Sequence, residues 1–155
     1  MKRFVLAASH VFTLCLGAAL GIYFLPVLVE PPGLTLPEVE ALAQSATFAG
    51  KFVRNLQGSD FLHWGEGTVY VSDLEIVLDG KVAPGPDYKL YLSPNFVETK
   101  AAFEQMKPNM VRIGDIRAFH NFHAKLPMGV DPARFNTVVV WCETFHQFIS
   151  SAKYR

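Results

Sequence analysis

The sequence predicts a mainly β protein: an antiparallel sandwich or barrel of short strands with one inserted helix, preceded by an N-terminal transmembrane helix. Three observations carry this reading. Short runs rich in Val, Phe, Tyr and Thr recur after residue 46, each bounded by Gly, Pro, Asn or Asp. Only one stretch among them, Asn95 to about Lys107, has helical composition, and Pro108 stops it. Ahead of them lies an apolar segment from Phe4 to Val29, whose polar interruptions are Ser9, His10 and Thr13.

That N-terminal segment is the length of a membrane-spanning helix, for which roughly 20 residues suffice. A secretory signal has an apolar core of only about 7–15 residues before a small-residue cleavage site. Here apolar sequence continues past Gly17 and Ala19 through Leu25. The reading is therefore an uncleaved signal anchor. Lys2 and Arg3 place the N-terminus in the cytoplasm, so a single-pass protein of the cell membrane is expected, with the bulk of the chain periplasmic or extracellular. Phe12-Thr13-Leu14 before Cys15 is not a lipoprotein signal. Pro31-Pro32-Gly33 ends the helix. Thr35 and Glu38 have capping-box spacing, so Leu36 to about Gln44 reads as a short stand-off helix. The expected organisation is a cytoplasmic tip (1–3), an anchor (4–29), a linker with a short helix (30–45) and an extracytoplasmic β-domain (46–155).

Within that domain, Thr47–Phe52 reads as a first strand, followed by the turn Gln57-Gly58-Ser59-Asp60. Phe61–Trp64 and Thr68–Val71 read as two short strands broken at Gly65-Glu66-Gly67, and Leu74–Leu78 as a strand closed by a hairpin turn at Asp79-Gly80. Ala83–Asp87 is a rigid loop. Tyr88–Ser93 alternates, with Tyr88, Leu90 and Leu92 on one face. Val111–Ile113 and Ile116–Leu126 read as strands separated by Gly114-Asp115. Pro127–Pro132 is a loop. Thr137–Phe145 is the densest β run; in it Cys142 shares a face with Val138 and Val140, while Val139, Trp141 and Glu143 take the other.

Several function classes are excluded. Formal net charge is zero and no Lys/Arg cluster marks a nucleic-acid surface. The chain has no G-x-S-x-G, H-E-x-x-H or G-x-x-x-x-G-K-[ST], no C-x-x-C of thioredoxin type and no C-x-x-C-H for haem attachment. The two cysteines are Cys15, inside the apolar segment, and Cys142, so the β-domain holds one thiol and no disulfide framework.

Cys142 is the candidate redox residue. Free cysteines are commonly inert core residues; a reactive thiol needs a nearby cation or His and some exposure. A lone thiol can form a sulfenic acid, a mixed disulfide or a bond to a partner's cysteine. His63, in a half-buried stretch, and His146, four residues after Cys142, are candidate supports. Asp87 sits at a strand entrance, where turn capping is its ordinary role. Trp141 is expected in the core, and Glu66 and Glu143 in solvent. Cys142-x-x-x-His146 superficially resembles the end of a blue-copper site, but no Met follows it as an axial ligand, so no metal ligand is assigned.

The pieces also occur in a known order. His63-Trp64-Gly65-Glu66-Gly67 comes first, then a Gly85-Pro86-Asp87 loop running into Tyr88–Ser93. A Gly-initiated stretch follows, ending in Leu126-Pro127, and then Phe135-Asn136-Thr137-Val138-Val139-Val140-Trp141-Cys142 with Phe145 beyond. From about Thr47 to Lys153 this resembles the electron-transfer DM thirteen domain, found in Skeletor-type proteins and as single-domain bacterial membrane-anchored proteins. The resemblance implies a β-rich module whose single cysteine, here Cys142, takes part in redox chemistry, with His63 the best candidate to face it. The chain departs from the family pattern at Phe119-His120-Asn121-Phe122-His123, where a Gly-rich segment is usual. It implies an accessory electron-transfer role rather than a stand-alone enzyme, no cofactor of its own, and an envelope redox protein or cytochrome as partner, with copper or haem on that partner. Two alternatives stand beside it: an envelope binding or structural module with an inert core cysteine, and a Cys/His metal carrier.

Overall fold

The computed structural model describes residues 1–155. The apolar segment forms α1 (Lys2–Leu28), with none of its residues buried. At 1.5 Å per residue it is about 40 Å long. It is long and apolar enough to cross a membrane, as a membrane anchor or a signal sequence would be. The predicted cap of α2 (Leu36–Gln44) is present. The Glu38 carboxylate accepts from the Thr35 amide at 2.8 Å and from its hydroxyl at 2.6 Å.

The linker between the two helices is fastened to the domain by the segment that departs from the family pattern. Glu30 Oε1 accepts from the Phe119 amide at 2.6 Å and meets His120 Nδ1 at 3.2 Å. The Leu34 amide donates to Asn121 O at 2.9 Å. Asn121 adopts φ 44°, a left-handed conformation that Asn tolerates better than most residues. From there its side chain accepts from the Gly80 amide at 3.0 Å.

Eight strands follow: β1 (Phe48–Phe52), β2 (Gly65–Val71), β3 (Glu75–Val82), β4 (Tyr88–Ser93), β5 (Val111–Ile116), β6 (His123–Lys125), β7 (Thr137–Cys142) and β8 (Gln147–Lys153). They make two four-stranded antiparallel sheets, ordered β1-β2-β3-β6 and β5-β4-β7-β8. The sheets face one another, with β1 beside β8 at one seam and β5 beside β6 at the other. At the first seam the backbones nearly touch, and a Cβ on Gly50 would lie 2.6 Å from the Lys153 carbonyl oxygen. The main core fills the space between the sheets with residues such as Val69, Leu78, Leu90, Val140 and Ile149.

The second sheet is covered on its outer face as well. There α3 (Lys100–Met106), capped by Thr99, packs Phe103 onto Tyr91, Val139, Trp141 and Phe148. That is why every residue of β7 is buried: Val138, Val140 and Cys142 enter the main core, while Val139 and Trp141 enter the outer one. The alternation predicted for β4 and β7 is observed.

Several predicted boundaries are corrected. Gly65-Glu66-Gly67 does not break a strand, and Asp79-Gly80 is not a turn; both lie inside the β2–β3 pairing. Gly67 (φ 124°) and Gly80 (φ 152°) are directly opposed, and a Cβ on either would come within 2.2 Å of the other strand's backbone. These glycines serve close approach. The real turn is Ser72–Leu74, where Ser72 Oγ accepts from the Leu74 and Glu75 amides. Phe61–Trp64 is not a strand, because the Asp60 carboxylate accepts the Leu62 and His63 amides and holds the segment in a bend. Strand β5 runs through Gly114-Asp115 to Ile116, and of the rest of the predicted Ile116–Leu126 strand only β6 forms, with a single bridge from His120 to Lys81 before it. The helix starts at Lys100, five residues after the predicted start. β7 ends at Cys142, and β8 had not been predicted.

Candidate functional site

Cys142 is the last residue of β7. It pairs across to Tyr88, the first residue of β4, on one side and to Gln147 of β8 on the other. Its neighbours are held by the Asp87 loop. The Asp87 carbonyl accepts from the Glu143 amide at 3.0 Å, and its carboxylate accepts from Thr144 Oγ1 at 3.0 Å. Lys89 Nζ lies 2.5 Å from the same carboxylate and 3.1 Å from that of Asp115. The hydrogen bond from Lys89 holds the Asp87 carboxyl below its ordinary range. Asp87 thus latches the turn that follows Cys142, and its backbone amide and its charge also act on the thiol.

The inward position does not seal the sulfur in. Cys142 is 2% exposed, yet at the end of its strand it lines a small crevice of about 60 Å³. His63, Tyr88, Leu62, Phe145 and Tyr23 of α1 are among the other walls. A water molecule occupies roughly 30 Å³, so the crevice admits a water or two or the tip of a reactant. It is far below the roughly 300–1,000 Å³ of a ligand pocket. No three His, Cys, Asp or Glu side chains converge anywhere in the chain. Two larger concavities are present: one of about 530 Å³ between the linker and the β5–β6 connection, and one of about 350 Å³ between the end of α1 and the Gly85-Pro86 loop, two residues of which also line the crevice.

Burial raises the Cys142 thiol above its ordinary value; backbone amides of the Asp87 loop and of the following turn pull the other way without cancelling it. The resting residue is therefore a protonated thiol at neutral pH. His63 is positioned by Asp60, whose Oδ2 lies 2.8 Å from Nδ1, and its side chain is 27% exposed. Its orienting partner is thus a carboxylate, where a backbone carbonyl would be ordinary, and Nε2 makes no hydrogen bond within the chain. Tyr88 is 3% exposed. Its ring packs on Gly85, where an added Cβ would fall 2.4 Å from the hydroxyl. Burial pushes its phenol well up.

The structure therefore brings Cys142 and His63 to one crevice and separates both from Trp141 and His146. Trp141 is fully buried on the opposite face of β7, stacked on Phe103 at 4.0 Å. His146, in a left-handed turn conformation (φ 49°), stands edge-on to Trp141 at 6.5 Å. Neither Glu66 nor Glu143 is merely solvated. Glu66 pairs with Arg54 and, at 3.1 Å, with Lys81; Glu143 binds Lys107 at 2.8 Å and accepts from Tyr91. Sequence reasoning misses Tyr88 as a crevice residue because only the β4–β7 register brings it to the sulfur, and Phe145 because the predicted strand runs through it where the chain turns after Cys142.

A family model described as Electron transfer DM13 matches residues 55–154. No curated protein and no solved structure gives a match.

Proposed function

Because the chain belongs to the electron-transfer DM13 family, we propose that it is an accessory redox domain acting through Cys142. In this reading α1 is an uncleaved anchor, residues 30–45 a linker, and residues 46–155 an extracytoplasmic domain that exchanges electrons with an envelope protein. The observation that carries the reading is the crevice, which puts the only thiol of the β-domain beside an oriented histidine at the mouth of a strand end.

The chemistry that suits a lone thiol is exchange with a partner. The Cys142 thiolate attacks one sulfur of a partner's disulfide, a new S–S bond forms, the partner's S–S bond breaks, and its second sulfur leaves as a thiolate. We assign the thiol proton to His63, which lines the same crevice and is oriented by Asp60. Burial keeps the resting thiol protonated, so reaction depends on removal of that proton as the partner's disulfide meets the crevice. Copper or haem belongs to that partner in this scheme. The alternative of an inert core cysteine draws on the same low exposure and raised thiol.

The test is the state of Cys142 in native membranes. After acid quenching and blocking of free thiols, mass spectrometry of the full chain should find Cys142 disulfide-linked to another protein, and Cys142→Ser should abolish the linkage. A Cys142 recovered wholly as free thiol under both reducing and oxidising growth would overturn the proposal.

A further inference from the structure

The crevice lies at one end of the sandwich, and that end carries α1. Strand β2 starts and β3 ends beside it, β4 starts at Tyr88 and β7 ends at Cys142. The opposite end holds the β2–β3 turn and the β6–β7 loop, joined where the Leu126 amide donates to Leu74 O. The last turns of α1 meet the crevice end. Tyr23 is one of the crevice walls, and Leu25, Pro26 and Val29 share the neighbouring concavity with Gly85 and Pro86.

That end is apolar where it meets solvent. Phe61 is 86% exposed, Phe145 59% and Leu62 38%. Leu62 and Phe145 line the crevice, and Phe61 precedes Leu62. Single exposed apolar side chains are ordinary, but several large ones around one opening mark an interaction surface. The carboxylates of the flanking segments are engaged within the chain: Asp60 by His63, Asp87 by Lys89 and Glu143 by Lys107. Arg117 is exposed, borders the same concavity as Leu25 and Val29, and enters none of the chain's ion pairs.

The length of α1 decides what covers this surface. About 20 helical residues cross a hydrocarbon core of roughly 30 Å, and counted from Phe4 they end at Tyr23. Tyrosine favours that boundary. Phe24 to Leu28 then add about 7.5 Å, the thickness of the headgroup zone on one side. The crevice wall that Tyr23 supplies is therefore at the membrane surface. By the same count Arg117, beside Leu25 and Val29, is at the depth of the lipid phosphates, which a guanidinium pairs with well.

We propose that the mouth of the Cys142 crevice is a lipid-facing surface, with Phe61, Leu62 and Phe145 seated at the headgroup–acyl boundary beside α1. The proposal rests on the reading of α1 as an uncleaved anchor and not on the reactivity of Cys142. It sets the route to the thiol along the bilayer surface.

The test places a nitroxide at one new cysteine at a time in the full chain carrying Cys15→Ser and Cys142→Ser, reconstituted into vesicles of phosphatidylcholine and phosphatidylglycerol. Electron paramagnetic resonance compares collision with oxygen, which concentrates among the acyl chains, and with a water-soluble nickel chelate. Labels at Phe61→Cys and Phe145→Cys should be reached by oxygen and shielded from nickel, at a depth of up to about 10 Å below the phosphates. Two positions keep the test open should one substitution disturb its loop. A label at Met128→Cys, in the exposed loop at the opposite end, should be reached freely by nickel. A label at Leu14→Cys, midway along α1, reports the anchor itself. Should it lie among the acyl chains while the labels at 61 and 145 are as open to nickel as that at 128, the anchor stands and the proposal is overturned. Should the Leu14→Cys label be open to nickel, α1 does not span the bilayer and both readings fail. Shielding of positions 61 and 145 from both reagents would put protein on this surface in place of lipid, and would also overturn the proposal.

Discussion

Replacing Phe103 by Ala tests the outer core most sharply. Phe103 is fully buried and is the one buried residue of α3. It stacks on Trp141 at 4.0 Å and meets Tyr91 edge-on at 5.3 Å. Truncating a buried Phe to Ala costs about 3–5 kcal/mol, and the two aromatic pairs, about 0.5–1.5 kcal/mol each, lie within that total. The void cannot collapse easily, because its floor is β7, which is packed on both faces. A loss of about 4 kcal/mol is expected. With a urea m-value of roughly 2 kcal/mol/M, the unfolding midpoint should fall by about 2 M. Trp141 fluorescence should shift to the red in the folded variant as α3 loosens and water enters. A loss below about 1 kcal/mol would mean that α3 does not pack as described, since only surface substitutions cost so little.

Other outcomes follow from the same geometry. Gly50→Ala should destabilise the domain by about 1–3 kcal/mol, the cost of overpacking, because its Cβ would strike the Lys153 carbonyl across the β1–β8 seam; thermal or urea unfolding reads this directly. Asp87 and Asp115 are held below their ordinary value of 3.8, each chiefly by a hydrogen bond from a basic partner, Lys89 and Arg112 respectively. A depressed folded-state carboxyl contributes stability above its unfolded value and loses it as pH falls through the folded one. Stability should therefore drop as pH falls below about 4, stay flat in this respect between about 5 and 8, and depend less on acid in Lys89→Met; urea midpoints across that range measure it. If α1 is an anchor, full-length protein should remain in the membrane pellet after alkaline carbonate washing with its N-terminal sequence intact; a shortened, soluble product would show a cleaved signal instead.

Much of the fold was legible because its signals are local. The alternation of Tyr88–Ser93, the two-faced burial of Val138–Cys142 and the Thr35–Glu38 cap all follow from residues close in the chain. The failures share a different cause. Gly67 and Gly80 look like punctuation until pairing shows them opposed across two strands. β8 was missed because Gln147–Lys153 carries Ser150 and Ser151 where an isolated strand would show apolar residues. Both are buried, and Ser151 is satisfied by the Val97 carbonyl from another part of the chain. The site divides in the same way. Cys142 and His63 were found from the chain and its family pattern, whereas Tyr88 reaches the sulfur only through the β4–β7 register. The acidic Glu143 read as solvated because Lys107 and Tyr91, its partners, are distant in sequence.

The central claim is that the Cys142 sulfur is accessible through its crevice in the folded state. The direct measurement is the alkylation rate of Cys142 by iodoacetamide in the folded full chain, followed by peptide mass spectrometry across pH. The account predicts reaction slower than that of an exposed thiol but faster than global unfolding, with an inflection above the ordinary thiol value of 9.0 because burial raises it. Filling the crevice with His63→Trp should slow the reaction. Modification of Cys142 only at the rate of global unfolding, unchanged by His63→Trp, would contradict it and leave the residue a core cysteine.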